Sequence, residues 1–83
     1  MADYTITWGE IPLEEYWALP EQARRDVNAR VLELRRYPTM DLENYNPDTD
    51  HWTVDDGGGA SQLVYAAVPD RQRVTMLRLI NLA

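Results

Sequence analysis

The chain has 83 residues, no cysteine, one histidine and a formal net charge of -6, and every basic residue in it is arginine. A chain of this length supports one domain with one modest core, burying roughly 60 to 65% of its unfolded surface. The cysteine count excludes a disulfide framework or a thiolate metal site and the lone His51 excludes a multi-histidine zinc site, while the acidic balance argues against broad phosphate-driven binding to nucleic acid.

The charge is unevenly placed. Residues 24–36 hold Arg24, Arg25, Arg30, Arg35 and Arg36 against Asp26 and Glu33, whereas residues 41–56 hold Asp41, Glu43, Asp48, Asp50, Asp55 and Asp56 and no basic residue. No stretch approaches the ~20 apolar residues of a membrane span, and residues 1–8 lack the basic flank and apolar run of a signal peptide, so a cytoplasmic location with no membrane partner is expected.

In chain order, Tyr4, Ile6 and Trp8 alternate with Thr5 and Thr7, the period of a strand with its aromatic face inward, and Gly9 ends it. Pro12 suits the first turn of a short helix reaching about Ala18, with Glu14 and Glu15 near the positive end of its dipole. Pro20 opens a longer helix in which Ala23, Val27, Val31 and Leu34 trace one apolar stripe, and Pro38 stops it near Tyr37 by disfavouring helical geometry in the residue before it. Residues 39–50 are acidic and turn-rich and predict an exposed connection.

Residues 51–82 read as three strands joined by two hairpin turns, Asp55-Asp56-Gly57-Gly58-Gly59 and Pro69-Asp70-Arg71-Gln72. Trp52 and Val54 alternate in the first strand, and Leu63, Tyr65 and Ala67 in the second. In the last, residues 74–82, both alternating sets are apolar, as for a central strand covered on both faces. The expected architecture is α+β: an N-terminal strand, a two-helix hairpin and a three-stranded antiparallel meander, with the helices packed on one face of a four-stranded sheet in one domain, 1–83.

This order of elements resembles the RelE/ParE toxin superfamily of bacterial toxin–antitoxin systems. Leu19-Pro20 leading into a basic amphipathic helix that ends at Leu34-Arg35-Arg36-Tyr37-Pro38 is similar to the family's helix. Gln62-Leu63-Val64-Tyr65, an Asp-Arg turn and Val74-Thr75-Met76-Leu77-Arg78-Leu79 resemble its characteristic strand pair. The resemblance implies cleavage of messenger RNA on the ribosome or poisoning of DNA gyrase, and a partner antitoxin that lays an extended or helical segment across the fold. Two departures bear on chemistry. Gln62 stands where the ribosome-dependent nucleases have an arginine, and a neutral amide cannot offset developing phosphate charge. The sequence closes on Asn81-Leu82-Ala83, with no counterpart to the family's C-terminal extension bearing Tyr, His, Lys or Arg.

A nuclease needs a cation near the phosphate and a proton shuttle. On the expected sheet Arg73, Arg78 and His51 are the catalytic candidates, beside Arg71 at the second turn. Each has a plainer reading: Arg71 and Arg73 as a solvated turn, Arg78 as an ion-pair partner, His51 as a strand-entry residue. Arg24, Arg25, Arg35 and Arg36, with Gln62, are the binding candidates, the arginines as a face that steers an acidic partner segment or is simply solvated. Asn46, Asp48 and Asp50 imitate the start of a calcium loop, which then fails, with His51 where glycine is needed and Gly57 where glutamate is needed. The three glycines, with no following helix, read as a flexible tip, and Trp8, Trp17 and Trp52 as core and staple residues. The expectation is a RelE/ParE-like protein acting mainly through protein–protein binding, with ribosome-dependent mRNA endonuclease activity weak or absent, and with no metal or cofactor. The alternative is a non-enzymatic acidic interaction or regulatory module, a homodimer pairing through exposed sheet edges.

Overall fold

The computed structural model describes residues 3–82; Met1, Ala2 and Ala83 lie outside it, so the expectation of no leader in residues 1–8 falls partly beyond the described residues. The elements follow one another as β1 (Thr5–Trp8), α1 (Glu10–Trp17), α2 (Glu21–Leu34), a single 3-10 turn (Leu42–Asn44), β2 (Tyr45–Asn46), β3 (His51–Asp55), β4 (Ser61–Val68), a second 3-10 turn (Pro69–Arg71) and β5 (Arg73–Asn81). The sheet order is β1-β5-β4-β3-β2, with β1 parallel to β5 and the other pairs antiparallel.

The α+β order and the place of the N-terminal strand in the sheet agree with the sequence reading, but the sheet has five strands rather than four. The extra strand, β2, lies inside the stretch expected to be a loop. Tyr45 pairs with Trp52, its ring lies 4.8 Å from the indole, and its hydroxyl donates to Asp50 at 2.6 Å. That contact pins the chain to β3 for two residues, too few to leave a periodic signal. The helices also start and stop a little differently. α1 begins at Glu10, two residues before Pro12, which is buried in its first turns, and α2 ends at Leu34, although the Arg36 and Tyr37 N–H groups still reach the Glu33 carbonyl at 3.0 Å.

One face of the sheet carries the core. Tyr45, Trp52, Tyr65, Met76 and Trp8 form a row across all five strands, and Val54, Leu63 and Leu79 form the row beside it. Ala23, Val27 and Leu34 of the α2 stripe close over these rows, with Val31 half-buried at the margin. Each of the large side chains sealed here, Tyr65, Leu63, Met76 and Leu79 among them, contributes about 1.5–3 kcal/mol of hydrophobic stabilisation.

The last strand is central, between β1 and β4, but it is covered on one face only. The β4–β5 register jumps from Val64↔Arg78 to Tyr65↔Met76, which leaves Leu77 as an unpaired extra residue. That bulge reverses the parity, so Val74, Met76 and Leu79 all turn inward, while Thr75, Leu77 and Ile80 stay half-buried on or beside the open face. Trp17 is likewise no core residue: it is 66% exposed, its ring 5.7 Å from the Arg24 guanidinium.

Candidate functional site

Two surfaces of this fold bring chemistry-bearing side chains together. The first is the open face of the sheet. Residues paired across strands share a face, and the rows Thr5–Arg73–Val68, Thr53–Val64–Arg78 and Asp55–Gln62–Ile80 all lie opposite the core. His51 belongs to the same face, paired with Asn46. The three catalytic candidates and Gln62 thus share one surface, yet they do not converge. Arg73 and Arg78 are separated along β5 by roughly 15 Å, and His51 sits two strands away, about 10 Å across. A cation and a proton shuttle acting on one phosphate need hydrogen-bond reach of it, and these three do not meet at one point.

Arg78 is also engaged. Its Nη2 lies 2.8 Å from Glu15 Oε2 and its Nε lies 3.1 Å from Oε1, and the Leu79 N–H donates to Oε1 at 3.0 Å. The guanidinium holds the Glu15 carboxyl below the usual carboxylate range, against the opposing effect of burial, and Glu15 in turn raises the affinity of Arg78 for its proton. Arg73, at the start of β5, is exposed and has no ion-pair partner among the described residues.

The second surface is a groove of about 660 Å³ at the end of α2. Trp52, Val54 and Tyr65 form its floor, Leu34 and Pro38 its wall, and the exposed side chains of Leu32 (62%), Tyr37 (59%) and Met40 (67%) its rim. The Tyr65 hydroxyl donates to the Pro38 carbonyl at 2.6 Å, which fixes the chain leaving α2 against the sheet, and burial pushes that phenol up to about 12. A shallower depression beside Ile6 and Val31 continues the groove along the outer side of β1, sharing Leu32 and Arg35 with it.

The helix arginines proposed as one binding face separate into two groups, because eleven positions along a helix span about 16 Å. Arg24 turns back to the Leu19 carbonyl and over Trp17, fastening the α1–α2 junction, and Arg25 pairs with Glu21 at 2.7 Å within the helix. Arg35 and Arg36 border the groove, Arg35 3.9 Å from Asp3 and Arg36 with no side-chain partner among the described residues. Among those residues no cluster of His, Asp or Glu suited to a metal is present, and no helix is long and apolar enough to cross a membrane.

Solved structures place this architecture. A chain of the intact E. coli RelBE toxin–antitoxin complex superposes with a TM-score of 0.83 at 17% identity, covering 96% of this chain and 98% of that one. The isolated E. coli RelE toxin gives 0.81 at 18% identity over 94% of this chain and 83% of its own. The fold is that of the RelE toxins. The archaeal RelE–RelB complex of Pyrococcus horikoshii matches as well, with a TM-score of 0.76 at 14% identity over 95% and 94% of the two chains. No protein-family model matches the sequence, and no curated protein does.

Within the RelE fold, two parts of the site carried no signal in the sequence. Glu15 stands 63 residues from Arg78, and its position in a helix suggested only a dipole contact. The groove floor was visible as core residues, but the gap above it depends on where the chain turns after Pro38, which only the Tyr65 hydrogen bond reveals.

Proposed function

We propose that this chain is the toxin-fold member of a toxin–antitoxin pair and acts mainly by binding a partner protein, an antitoxin-like segment laid in the groove at the end of α2, with ribosome-dependent mRNA cleavage weak or absent. The observation that carries this reading is the groove itself. Three large side chains, Leu32, Tyr37 and Met40, stand about two-thirds exposed around an aromatic floor on a chain with a small core. Contiguous apolar surface of this kind marks an interaction site. An amphipathic helix or an extended segment gains affinity by seating apolar anchors in such a groove, and aromatic and methionine rims are where hot spots concentrate. The weak-cleavage part of the reading is supported by the open face, where Arg78 is neutralised by Glu15, Gln62 is uncharged and Arg73 and His51 lie apart. The structures of the E. coli and P. horikoshii complexes, in which chains of this fold are found with RelB, support a partner of the same kind here.

The test is binding to the product of the adjacent reading frame. Tyr37→Ala and Met40→Ala, both at exposed positions, weaken the complex at least about tenfold while leaving the melting temperature of the free chain unchanged. Binding unaffected by both substitutions sinks the groove assignment. Induced expression of the chain alone leaves growth unimpaired; growth arrest with messenger RNA cleavage, both abolished by Arg73→Ala in a folded protein, would instead establish a working nuclease.

A further inference from the structure

Three donors converge on one carboxylate where the central strand loses its neighbour. β1 runs beside β5 only as far as the Trp8↔Met76 pair, and beyond it the chain turns into α1. The Leu79 N–H has no β1 residue opposite it and donates instead to Glu15 Oε1 at 3.0 Å. The Arg78 guanidinium grips the same carboxylate as a fork, Nε at 3.1 and 3.2 Å from the two oxygens and Nη2 at 2.8 Å from Oε2. Arg78 keeps 55% of its side chain exposed and Glu15 only 23%, so the guanidinium is reachable from the open face, while the N–H of Leu79, a residue only 1% exposed, is capped by the acid.

A guanidinium fork beside a backbone N–H is a donor set for an oxoanion with two available oxygens, and it does not distinguish a carboxylate from a non-bridging phosphate pair. We infer that Arg78 and the Leu79 N–H form a phosphate seat at the centre of β5, which Glu15 fills as an internal ligand and thereby closes to the backbone of RNA. The inference deepens the function proposed above and rests on it for the class of ligand, since it gives weak cleavage a cause. A tethered carboxylate competes at an effective concentration on the order of millimolar or higher, whereas a polyanion approaches this chain against a net charge of -6. Glu15 therefore wins without needing any special affinity.

The plainer role for the same contact is to fasten α1 to β5, and the two differ in what happens when the acid is neutralised. Glu15→Gln keeps an amide oxygen for the Leu79 N–H and releases the charge that holds Arg78. The chain, its Glu15→Gln variant and the Glu15→Gln/Arg78→Gln double variant are titrated with inorganic phosphate and with a short single-stranded RNA, following the Leu79 amide and the Arg78 Nε–H by NMR. In the unsubstituted chain both signals stay in place. In Glu15→Gln both move saturably, with an affinity at least about tenfold higher, and the double variant returns to the starting behaviour. Signals in Glu15→Gln that do not move, or an unsubstituted chain that binds equally well, overturn the inference. Should Glu15→Gln fail to fold, the unsubstituted chain titrated with inorganic phosphate as the pH is lowered through the carboxylate range decides: both signals move saturably once Glu15 is protonated if it fills a seat, and stay in place if the contact only fastens α1 to β5. Partner binding at the α2 groove is read separately on the core side of the sheet, so a failed complex with an intact phosphate response refutes the proposed function and leaves the seat standing.

Discussion

Asp56 is 3% exposed, and burial alone would raise the pKa of its carboxyl. The hydrogen bonds it accepts more than offset that, from the buried Ser61 hydroxyl at 2.9 Å and the Gly58 and Gly59 N–H groups at 2.8 and 2.7 Å, and hold it below the ordinary aspartate value. A group whose folded pKa is depressed contributes stability in full above its unfolded pKa of about 3.9 and loses it as the pH falls through the folded value. Asp56→Ala leaves the Ser61 hydroxyl unpaired in the interior and costs about 2–3 kcal/mol at neutral pH, measured by urea unfolding. The difference between the native chain and Asp56→Asn starts to narrow as the pH falls below about 4 and closes once the pH passes beneath the depressed folded value, where both side chains are neutral. Tyr65 has the opposite sign. Its phenol is held neutral by burial up to about 12, so its contribution is complete below the unfolded value of about 10 and is lost as the pH rises toward 12. Tyr65→Phe strips the Pro38 carbonyl of its donor and costs about 1–2 kcal/mol, loosening the floor of the groove as well as the fold.

The β3–β4 hairpin shows how a carboxylate orders what glycine alone would leave loose. The tip expected to be flexible is wrapped around Asp56, and two of its glycines hold positive φ, +87° at Gly57 and +82° at Gly59, with open space where a Cβ would stand. Substitution there is opposed by the backbone and not by crowding. Gly57→Ala and Gly59→Ala each cost about 1–2 kcal/mol, read as a lowered urea midpoint with an unchanged slope. The same contrast governs what could be read from the chain beforehand. α2, β3 and β4 were legible because Ala23, Val27 and Leu34, or Trp52 and Val54, or Leu63 and Tyr65, repeat the period of their element toward one core. β2 was not, since two residues held by Tyr45 against Trp52 cannot display a period. In β5 the pattern misled. Met76, Leu77, Leu79 and Ile80 look like a strand buried on both sides, when a bulge at Leu77 has changed the parity of a strand buried on one. For the site, sequence placed Arg73, Arg78, His51 and Gln62 on strands and the structure gives them a common face. The Glu15 contact that neutralises one of them joins elements far apart in the chain, and no local spacing encodes it.

For the whole molecule, the distribution of charge decides how the open face meets a polyanion. The net charge of -6 is repulsive at long range, Arg78 is compensated by Glu15, and the arginines of α2 lie on the helical side of the sheet. The cations left at the open end of β5 are Arg71 and Arg73. The affinity of a protein for single-stranded nucleic acid falls with salt in proportion to the phosphates it neutralises, with a slope of log K against log salt of about -0.7 per contact. Two contacts give about -1.4, against the steeper dependence of a protein that grips RNA along a basic groove. Fluorescence anisotropy of a labelled single-stranded RNA, extended to low salt where the weak complex is measurable, is expected to return a slope no steeper than this. Freeing Arg78 by Glu15→Gln adds one contact and steepens it by about 0.7, and Arg73→Ala removes about as much. A slope near -3 or beyond in the unsubstituted chain would mean that the α2 arginines reach the RNA too, and the proposed division between a helical side for a protein partner and a sheet face that meets nucleic acid only weakly would not hold.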